Sequence, residues 1–321
     1  LLRRASILKK KIVGSPCFSD DGSMASAGVS ASSFPLVVDA SVDRSSLKGL
    51  VDEHGAVLLR ETGVNSVAAF AELAATFGET DVDMACSAGP RFNVGLNVHT
   101  ANEAPPDKQI PVHHEMAQCE NFPSYVLFYC DRPPSTGGCT PVIRSSLVCQ
   151  HFRREFPELY RRLSTEGVRY LREYPDSHTT SSPLGKSWRE AFETDARADV
   201  EATLMRAGAG FEWLPDGSLR TIGPIVNIVR EYGGERVCFI AAETSMMERQ
   251  EGPKKAIVHA DKTPLDDASQ RALVALGKFA LAASARLPWK QHDVLILNNR
   301  TVMHSRDAFT GPRRILVTLV R

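Results

Sequence analysis

The sequence predicts a β-sandwich or β-barrel core with several inserted helices. Short apolar segments bounded by turn residues recur along the chain, and they have the length and composition of strands. Longer segments with helical spacing of apolar residues lie between some of them, but strands and helices do not alternate as they do in a parallel sheet. No segment repeats at a fixed period. These observations favour a sandwich or barrel over a parallel sheet.

The chain divides into a flexible basic arm, residues 1–33, and a single domain, residues 34–321. Five Lys and Arg residues precede the first acid, Asp20, and a stretch rich in Ser, Ala and Gly follows. This composition predicts an arm without a packed core. A remnant of an organelle transit peptide is the alternative interpretation, because such peptides are basic, rich in Ser and poor in acids.

The overall composition excludes several classes of partner. The formal net charge is zero, which gives no indication of a nucleic acid or an acidic membrane surface. No apolar run approaches the length that spans a membrane. Seven cysteines are scattered without a C-x-x-C pair, which argues against a cysteine zinc site and for reduced thiols in the cytoplasm or an organelle. A small-molecule substrate is therefore expected, and the composition leaves the oligomeric state open.

Local patterns predict the elements of the first half of the chain. Leu36-Val37-Val38 and residues 56–60 are short apolar runs typical of strands. Residues 46–54 and 67–77 have apolar side chains at helical spacing, and each segment ends at a glycine. Residues 81–108 form an irregular segment rich in Gly and Pro. Further elements of this half are strands at 124–130 and 139–143 and a helix at 145–163.

The second half of the chain continues the same mixture. Residues 188–208 read as mostly helical, and residues 266–287 form the clearest late helix. Apolar and β-branched runs predict strands at 209–214, 219–221, 225–230, 237–240, 294–297 and 314–320. The last two strands enclose a polar segment that contains His304.

The segment from Ile110 to Gln118 holds two side chains that can bind a metal together. Alternate side chains of an extended chain share a face, so His113 and Glu115 point the same way and His114 points the opposite way. One imidazole and one carboxylate form two-thirds of the facial triad of non-haem Fe(II) oxygenases. A distant histidine has to complete such a triad, and His304 is a candidate. The long irregular segment that precedes Ile110 is typical of a functional loop.

These segments together resemble a known family, the taurine-dioxygenase and clavaminate-synthase-like Fe(II)/2-oxoglutarate oxygenases, including its plant clavaminate-synthase-like members. The matching stretches run through nearly the whole domain, and they are residues 102–106, 110–118, 134–141, 288–289 and 304–314. The resemblance implies a double-stranded β-helix, or jelly roll, with helices packed outside it. It also implies Fe(II), 2-oxoglutarate and O2 as cofactor and cosubstrates, with succinate and CO2 as co-products.

The resemblance assigns roles to individual residues. It places the iron ligands at His113, Glu115 and His304. It places the 2-oxoglutarate carboxylate on Arg314, with Thr140 as its helper, and a guanidinium suits a carboxylate because it can bind both oxygens. The sulfonate-binding Arg of taurine-binding members falls on Thr318, which argues against taurine as the substrate.

The substrate and the reaction outcome are less constrained. Hydroxylation, desaturation and oxidative cyclisation share the abstraction of a substrate hydrogen, whereas the carboxylate of Glu115 argues against halogenation. A small carboxylate-bearing, amino-acid-like substrate is expected if guanidinium groups face the pocket. The candidate substrate residues lie in the loop before the metal strand, beside that strand, or after the distal histidine, and they are Arg91, Asn97, Asn102, Gln109, Gln118 and Arg306. Two alternatives stay open: a zinc hydrolase with the same ligands, and a non-catalytic binding protein on this fold.

Overall fold

Two packed layers of β-structure position the residues that the sequence singles out. The computed structural model describes residues 34–80, 91–101, 104–177, 187–240 and 255–321. The predicted arm at 1–33 lies outside the described residues, as do the first part of the 81–108 segment and Asn102. No helix in the described part of the chain is long and apolar enough to cross a membrane.

The described strands are short and most are three to eight residues long. In chain order they are β1 Leu36–Val38, β2 Ala56–Leu59, β3 Asn93–Gly95, β4 Val98–Thr100, β5 Ile110–His113, β6 Tyr125–Arg132, β7 Thr136–Gly137, β8 Val142–Arg144, β9 Val168–Tyr174, β10 Gly210–Trp213, β11 Leu219–Ile222, β12 Val229–Tyr232, β13 Glu235–Cys238, β14 Lys255–His259, β15 Val294–Asn298, β16 Val302–Arg306, β17 Phe309–Thr310 and β18 Arg314–Val320. The described helices are α1 Leu47–His54, α2 Val67–Ala75, α3 Ser145–Glu155, α4 Pro157–Glu166, α5 Trp188–Phe192, α6 Arg197–Arg206 and α7 Asp267–Ala282, and a 3-10 turn covers Arg44–Ser46.

The larger layer is a seven-stranded sheet with the order β1-β2-β15-β6-β18-β4-β3. Successive side chains of each strand point to opposite faces of the sheet, and both faces are apolar. In β18, Leu316 and Val320 face a core cluster shared with α1 and α2. Val317 and Leu319 face the interior, where they meet Phe128 of β6. Side chains of β18 on this second face therefore line the inside of the fold.

The smaller layer is a three-stranded sheet with the order β5-β16-β8. One face contributes Val142 and Val302 to the interior cluster. The other face contributes Val112 and Met303 to a second cluster, which includes side chains of α3, α7, β9 and β14. A four-stranded sheet, β10-β11-β9-β14, extends this side of the fold. This two-layer, mainly β arrangement with helices outside it is the predicted jelly roll.

Two local features tie the elements to each other. Ser66 caps α2 by accepting a hydrogen bond from the Ala69 N–H group. Gly55 ends α1 at φ 78°, and a Cβ atom there would lie 2.8 Å from the side chain of Val302 in β16. Glycine is therefore required both by the backbone conformation and by the close approach of the strand that carries His304.

The structure differs from the predicted elements at several places. The predicted helix 145–163 is two helices, because Pro157 lacks the N–H group that would continue α3 and instead starts α4. Within the segment predicted as irregular, β3 and β4 form a hairpin. The strand predicted at 225–230 begins later, at Val229. Seven strands were not predicted: β3, β4, β7, β9, β14, β16 and β17. The second half of β16, from His304 to Arg306, is polar, so its composition gave little strand signal.

Candidate metal centre

Two histidines face each other across neighbouring strands of the smaller sheet. His113 is the last residue of β5, and the antiparallel register places it opposite His304 in the middle of β16. The centroids of the two rings are 4.3 Å apart. Glu115 follows β5 directly, and candidate ligand atoms of all three residues lie within 4.8 Å of one another. The fold therefore brings the three predicted ligands together.

The hydrogen bonds of the imidazoles suit metal binding. Nδ1–H of His113 donates to the Pro111 carbonyl oxygen at 2.7 Å, which leaves Nε2 available as a ligand. His304 is 4% exposed, and its Nδ1 atom has no hydrogen-bond partner among the described residues. Burial, followed by the neighbouring charges of His113 and Arg91, lowers the pKa of His304 well below its ordinary value. A neutral imidazole is the form that binds a metal.

Glu115 is held by an asparagine from the turn between β15 and β16. Asn299 is fully buried, and its Oδ1 accepts the Glu115 N–H group at 2.9 Å. Its Nδ2 donates to the carbonyl oxygens of Glu115, at 3.0 Å, and Pro123, at 2.8 Å. The chain turns sharply at this point, because the next residue, Met116, has a φ of 56°. One side chain thus fixes the backbone that carries the carboxylate.

A guanidinium group fixes the other end of Glu115. Nη2 of Arg91 lies 2.7 Å from Oε2 of Glu115, and the exposed fractions of the two side chains are 10% and 5%. Burial alone would raise the pKa of Glu115, but the charge of Arg91, with smaller contributions from His113 and Arg172, holds it below its ordinary value. Glu115 is therefore an anion, which is the state that a metal ligand needs.

The residues present fit a divalent metal. Two imidazoles and one carboxylate are the donor set of a non-haem Fe(II) facial triad. The His304 nitrogen without a partner supports the same conclusion, because a buried polar atom of this kind is rare unless its group binds something. His113, Glu115 and His304 would hold the ion.

His114 faces away from this group, as the alternation predicted. It is fully buried, and its Nε2 lies 2.7 Å from the Ser145 hydroxyl oxygen. Its Nδ1 accepts the Ile240 N–H group at 3.3 Å, and its ring packs against Phe239. Burial lowers its pKa well below the ordinary value. His114 is a core residue and takes no part in the triad.

The family pattern is recognised in the chain as a whole. A family model described as "Taurine catabolism dioxygenase TauD, TfdA family" matches residues 23–320. This chain belongs to the TauD/TfdA family. It is an Fe(II)- and 2-oxoglutarate-dependent dioxygenase, a class that the triad fits. The assignment decides against both the zinc hydrolase and the non-catalytic binding protein.

Individual TauD/TfdA relatives cover nearly the whole chain. A clavaminate synthase-like protein of Arabidopsis thaliana is 36% identical over 304 residues, which is 92% of this chain and 91% of the relative. The dapdiamide synthesis protein DdaC of Enterobacter agglomerans is 26% identical over 309 residues, 91% of this chain and 90% of the relative. Among solved structures, PvcB of Pseudomonas aeruginosa has the same fold, with a TM-score of 0.52 and 17% identity over 88% of this chain and 84% of PvcB.

Thr140 is next to a tryptophan at the edge of the interior cluster. It is buried, and its hydroxyl oxygen accepts a hydrogen bond from Nε1 of Trp289 at 3.3 Å. Both residues line a small pocket together with Leu58 and Leu295, two residues of the interior cluster. Thr140 thus faces the inside of the jelly roll.

Arg314 does not face this pocket, which departs from the role that the resemblance implied. Its side chain is 48% exposed and its Nη1 pairs with Oδ2 of Asp131 at 2.9 Å. The pairing of β18 with β6 shifts in register between Arg314 and Ile315, and Ile315 belongs to the interior cluster. Because successive side chains of a strand point to opposite faces, Arg314 lies on the outer side.

Arg313, one residue earlier, precedes β18 and is half-buried. Its Nε donates to the Gly138 carbonyl oxygen at 3.1 Å, two residues before Thr140. Its guanidinium lies 5.3 Å from the Phe309 ring. These contacts place Arg313 beside the segment that leads to Thr140.

Two of the other predicted substrate residues have structural partners instead. Arg306 is 5% exposed and donates to the backbone carbonyl oxygens of Ala104, Pro105 and Lys108, so it anchors the loop before β5. Gln109 donates to Asp307 at 3.0 Å. These contacts correct the predicted substrate roles of Arg306 and Gln109, because their side-chain donors already form hydrogen bonds within the fold.

The remaining candidates give no support for substrate contact. Asn97 is exposed in the β3–β4 turn, and its Nδ2 donates to the Thr80 hydroxyl at 3.3 Å. Gln118 lies in the turn three residues after Glu115 and is half-buried. Asn102 lies outside the described residues. Arg91, by contrast, contacts the triad residue Glu115.

Asn299 is a residue of the centre that the sequence reasoning missed. Asn299 stands in a polar Asn-Asn-Arg turn before the His304 strand, and a buried turn asparagine is a common backbone anchor. Arg313 stands beside Arg314, and no local pattern distinguishes the two. The choice between them depends on strand register, which is a property of the folded sheet.

Proposed function

We propose that this dioxygenase abstracts hydrogen from a small, carboxylate-bearing, amino-acid-like substrate, which is then hydroxylated, desaturated or cyclised. The observation that supports the substrate class is the charge around Glu115. Two guanidinium groups, Arg91 and Arg172, lie close enough to lower the pKa of this one carboxylate. Both side chains are about nine-tenths buried or more. Positive charge in a buried site favours an anionic ligand.

The chain's own residues bind and orient the reactants. When bound, Fe(II), 2-oxoglutarate and O2 would supply the oxidant that removes a substrate hydrogen, with succinate and CO2 as co-products. His113, Glu115 and His304 would hold the metal. The smaller sheet and the interior cluster bury this site, so water is excluded from a reaction that it would divert.

We propose further that Arg313 and Thr140 bind the far carboxylate of 2-oxoglutarate. Arg313 contacts the Gly138 carbonyl, and Thr140 follows two residues later, so the two side chains lie at the same end of the interior. A guanidinium and a hydroxyl are a suitable pair of donors for a carboxylate. Arg314 serves as the comparison, because it carries the same charge on the outer side.

The cosubstrate assignment is tested with two matched variants. We expect Arg313→Leu to raise the KM for 2-oxoglutarate about 10- to 100-fold, because charge-assisted hydrogen bonds contribute about 1.5–3 kcal/mol. We expect Arg314→Leu to change it less than about threefold. Fe(II) affinity, measured by titration, should change little in either. A larger increase of this KM in Arg314→Leu than in Arg313→Leu would assign the 2-oxoglutarate carboxylate to Arg314 instead.

The substrate class is tested by binding and turnover. The Fe(II) protein is incubated anaerobically with 2-oxoglutarate and a panel of amino-acid derivatives that includes N-alkylated glutamates. Binding is followed through the charge-transfer absorption of the iron and 2-oxoglutarate, and succinate is measured after oxygen is admitted. We expect carboxylate-bearing members to perturb the absorption and to couple succinate release. If only peptides or oligonucleotides did so, the small-molecule proposal would fail.

A further inference from the structure

Arg91 lies at the entrance to the β3–β4 hairpin and reaches the metal centre. It is 24 residues before Glu115 in sequence, and its Nη2 lies 2.7 Å from the Glu115 carboxylate. The Arg91 guanidinium is therefore in direct contact with the metal centre through Glu115.

Most of the donors of this guanidinium are unused. A guanidinium has five N–H groups, of which Nε carries one and Nη1 carries two. The Nε and Nη1 atoms of Arg91 are buried and have no hydrogen-bond partner among the described residues. The whole side chain is 10% exposed, so solvent does not replace the missing partners. Leaving charged donors unsatisfied in a buried site is costly, which indicates that a ligand completes them.

We propose that Arg91 is a two-sided positioning residue: Nη2 orients the metal ligand Glu115, and the edge of the guanidinium that this contact leaves open binds a carboxylate of the substrate beside the metal. The choice of a substrate carboxylate rests on the proposed function. A planar carboxylate pairs with either forked edge of a guanidinium, Nη1 with Nη2 or Nε with Nη2, and the single Glu115 contact leaves one of these edges open. One guanidinium would then set both the direction of a metal ligand and the position of the reacting molecule.

The same donors could meet a carboxylate of 2-oxoglutarate, so the experiment has to separate the two sources. It also has to separate ligand binding from a structural role, in which Arg91 only ties the β3–β4 hairpin to Glu115. A structural role would change metal affinity and stability. It would not make the protein distinguish a carboxylate from an uncharged molecule of the same shape.

Three variants provide the test. Arg91→Met keeps the aliphatic stem and removes the charge, and Arg91→Lys keeps the charge without the fork. Arg230→Met is the matched control: the Arg230 guanidinium packs 4.1 Å from the Phe239 ring centroid and 4.8 Å from that of Phe122. Its charge lowers the pKa of His114, the neighbour of His113 that faces away from the triad. Circular dichroism and thermal unfolding establish that each variant folds.

The first arm measures Mn(II) affinity by electron paramagnetic resonance. We expect Arg91→Met to weaken Mn(II) binding about 10- to 100-fold, because partners of metal ligands have effects of that size. Arg91→Lys should recover part of the loss, and Arg230→Met should bind as the wild type does. Unchanged Mn(II) affinity in Arg91→Met would overturn the orienting role.

The second arm measures carboxylate recognition without turnover. The Fe(II) protein, saturated with 2-oxoglutarate under anaerobic conditions, is titrated with propionate and separately with propionamide, and the charge-transfer absorption is followed. We expect the wild type and Arg230→Met to respond to propionate at concentrations about 10- to 100-fold lower than to propionamide. Arg91→Met should lose this preference.

Each other result has a defined meaning. A preference for propionate that persists in Arg91→Met, or its absence in the wild type, would overturn the ligand role. If Arg91→Met weakened 2-oxoglutarate binding and kept the propionate preference, the carboxylate would be that of the cosubstrate and the substrate assignment would be wrong. Failure of the proposed function is a separate observation, namely absence of substrate-coupled succinate release in the wild type, because neither arm requires oxygen.

Discussion

Replacement of Asn299 by alanine should weaken metal binding although Asn299 is not a metal ligand. The substitution removes three buried hydrogen bonds, two to the backbone of Glu115 and one to the Pro123 carbonyl. The Glu115 N–H group and two carbonyl oxygens then lose a partner at a place where the side chain is fully buried. The turn that begins at Glu115 and Met116 should become less rigid.

The size of the effect follows from those contacts. A neutral hydrogen bond contributes about 0.5–1.5 kcal/mol, and groups left buried without partners bring the cost to the upper end of that range. Three bonds at that end of the range correspond to a loss of about 4.5 kcal/mol in the free energy of unfolding. In a domain of this size that loss lowers Tm by about 5–10 °C. Metal affinity should fall about 10-fold or more, because the Glu115 carboxylate is no longer held in place.

Asn298 offers a matched control in the same turn. Its Nδ2 donates to Asp52 at 3.1 Å and its Oδ1 accepts the Arg300 N–H group at 3.0 Å, but no bond reaches Glu115. Asn298→Ala should therefore lower Tm by a similar amount and leave Mn(II) affinity unchanged. Thermal unfolding of the metal-free proteins and Mn(II) titration measure the two effects separately. Equal Mn(II) affinities in the two variants would refute the orienting role of Asn299.

Four further substitutions test the rest of the centre. His113→Ala and His304→Ala should each abolish Fe(II)-dependent 2-oxoglutarate turnover and leave circular dichroism unchanged; normal turnover in either would contradict the triad. His114→Ala should lower Tm by several degrees, since it removes the buried contacts to Ser145 and Ile240, and should keep Mn(II) affinity. Arg306→Leu should lower Tm and speed proteolysis near residues 104–108, and an unchanged cleavage rate would show that Arg306 does not anchor that loop.

The triad could be predicted because strand alternation is a local rule. It placed His113 toward the metal and His114 away from it, and the structure shows His114 in the core. Glu115 reached its position differently from the prediction. β5 ends at His113, and Glu115 lies in a turn whose next residue, Met116, has a positive φ. The spacing of His113 and Glu115 therefore identified both ligands, although only His113 lies in the strand.

The cosubstrate arginine could not be fixed in the same way. Alternation makes Arg313 and Arg314 equivalent until the register of β18 is known. The register of β18 against β6 shifts between Arg314 and Ile315, which is a property of the strand pairing and not of the two residues. Under our proposal that Arg313 binds the cosubstrate, the single-sequence motif identifies the arginine pair and misses its functional member by one residue.

The contacts that complete the centre join residues that are far apart in sequence. Asn299 holds the Glu115 backbone across 184 residues, and Arg91 holds its carboxylate across 24. His113 is oriented by its own strand, through the Pro111 carbonyl. A local pattern can therefore name the ligands, since each needs only a residue type and a face. Their orientation depends on three separate elements, the β3 entrance, the β15–β16 turn and β5, which meet only when the two sheets pack. The positions of the three metal-ligand side chains are therefore set by the assembled fold. We expect substitutions at Arg91 and Asn299 to disturb these positions most.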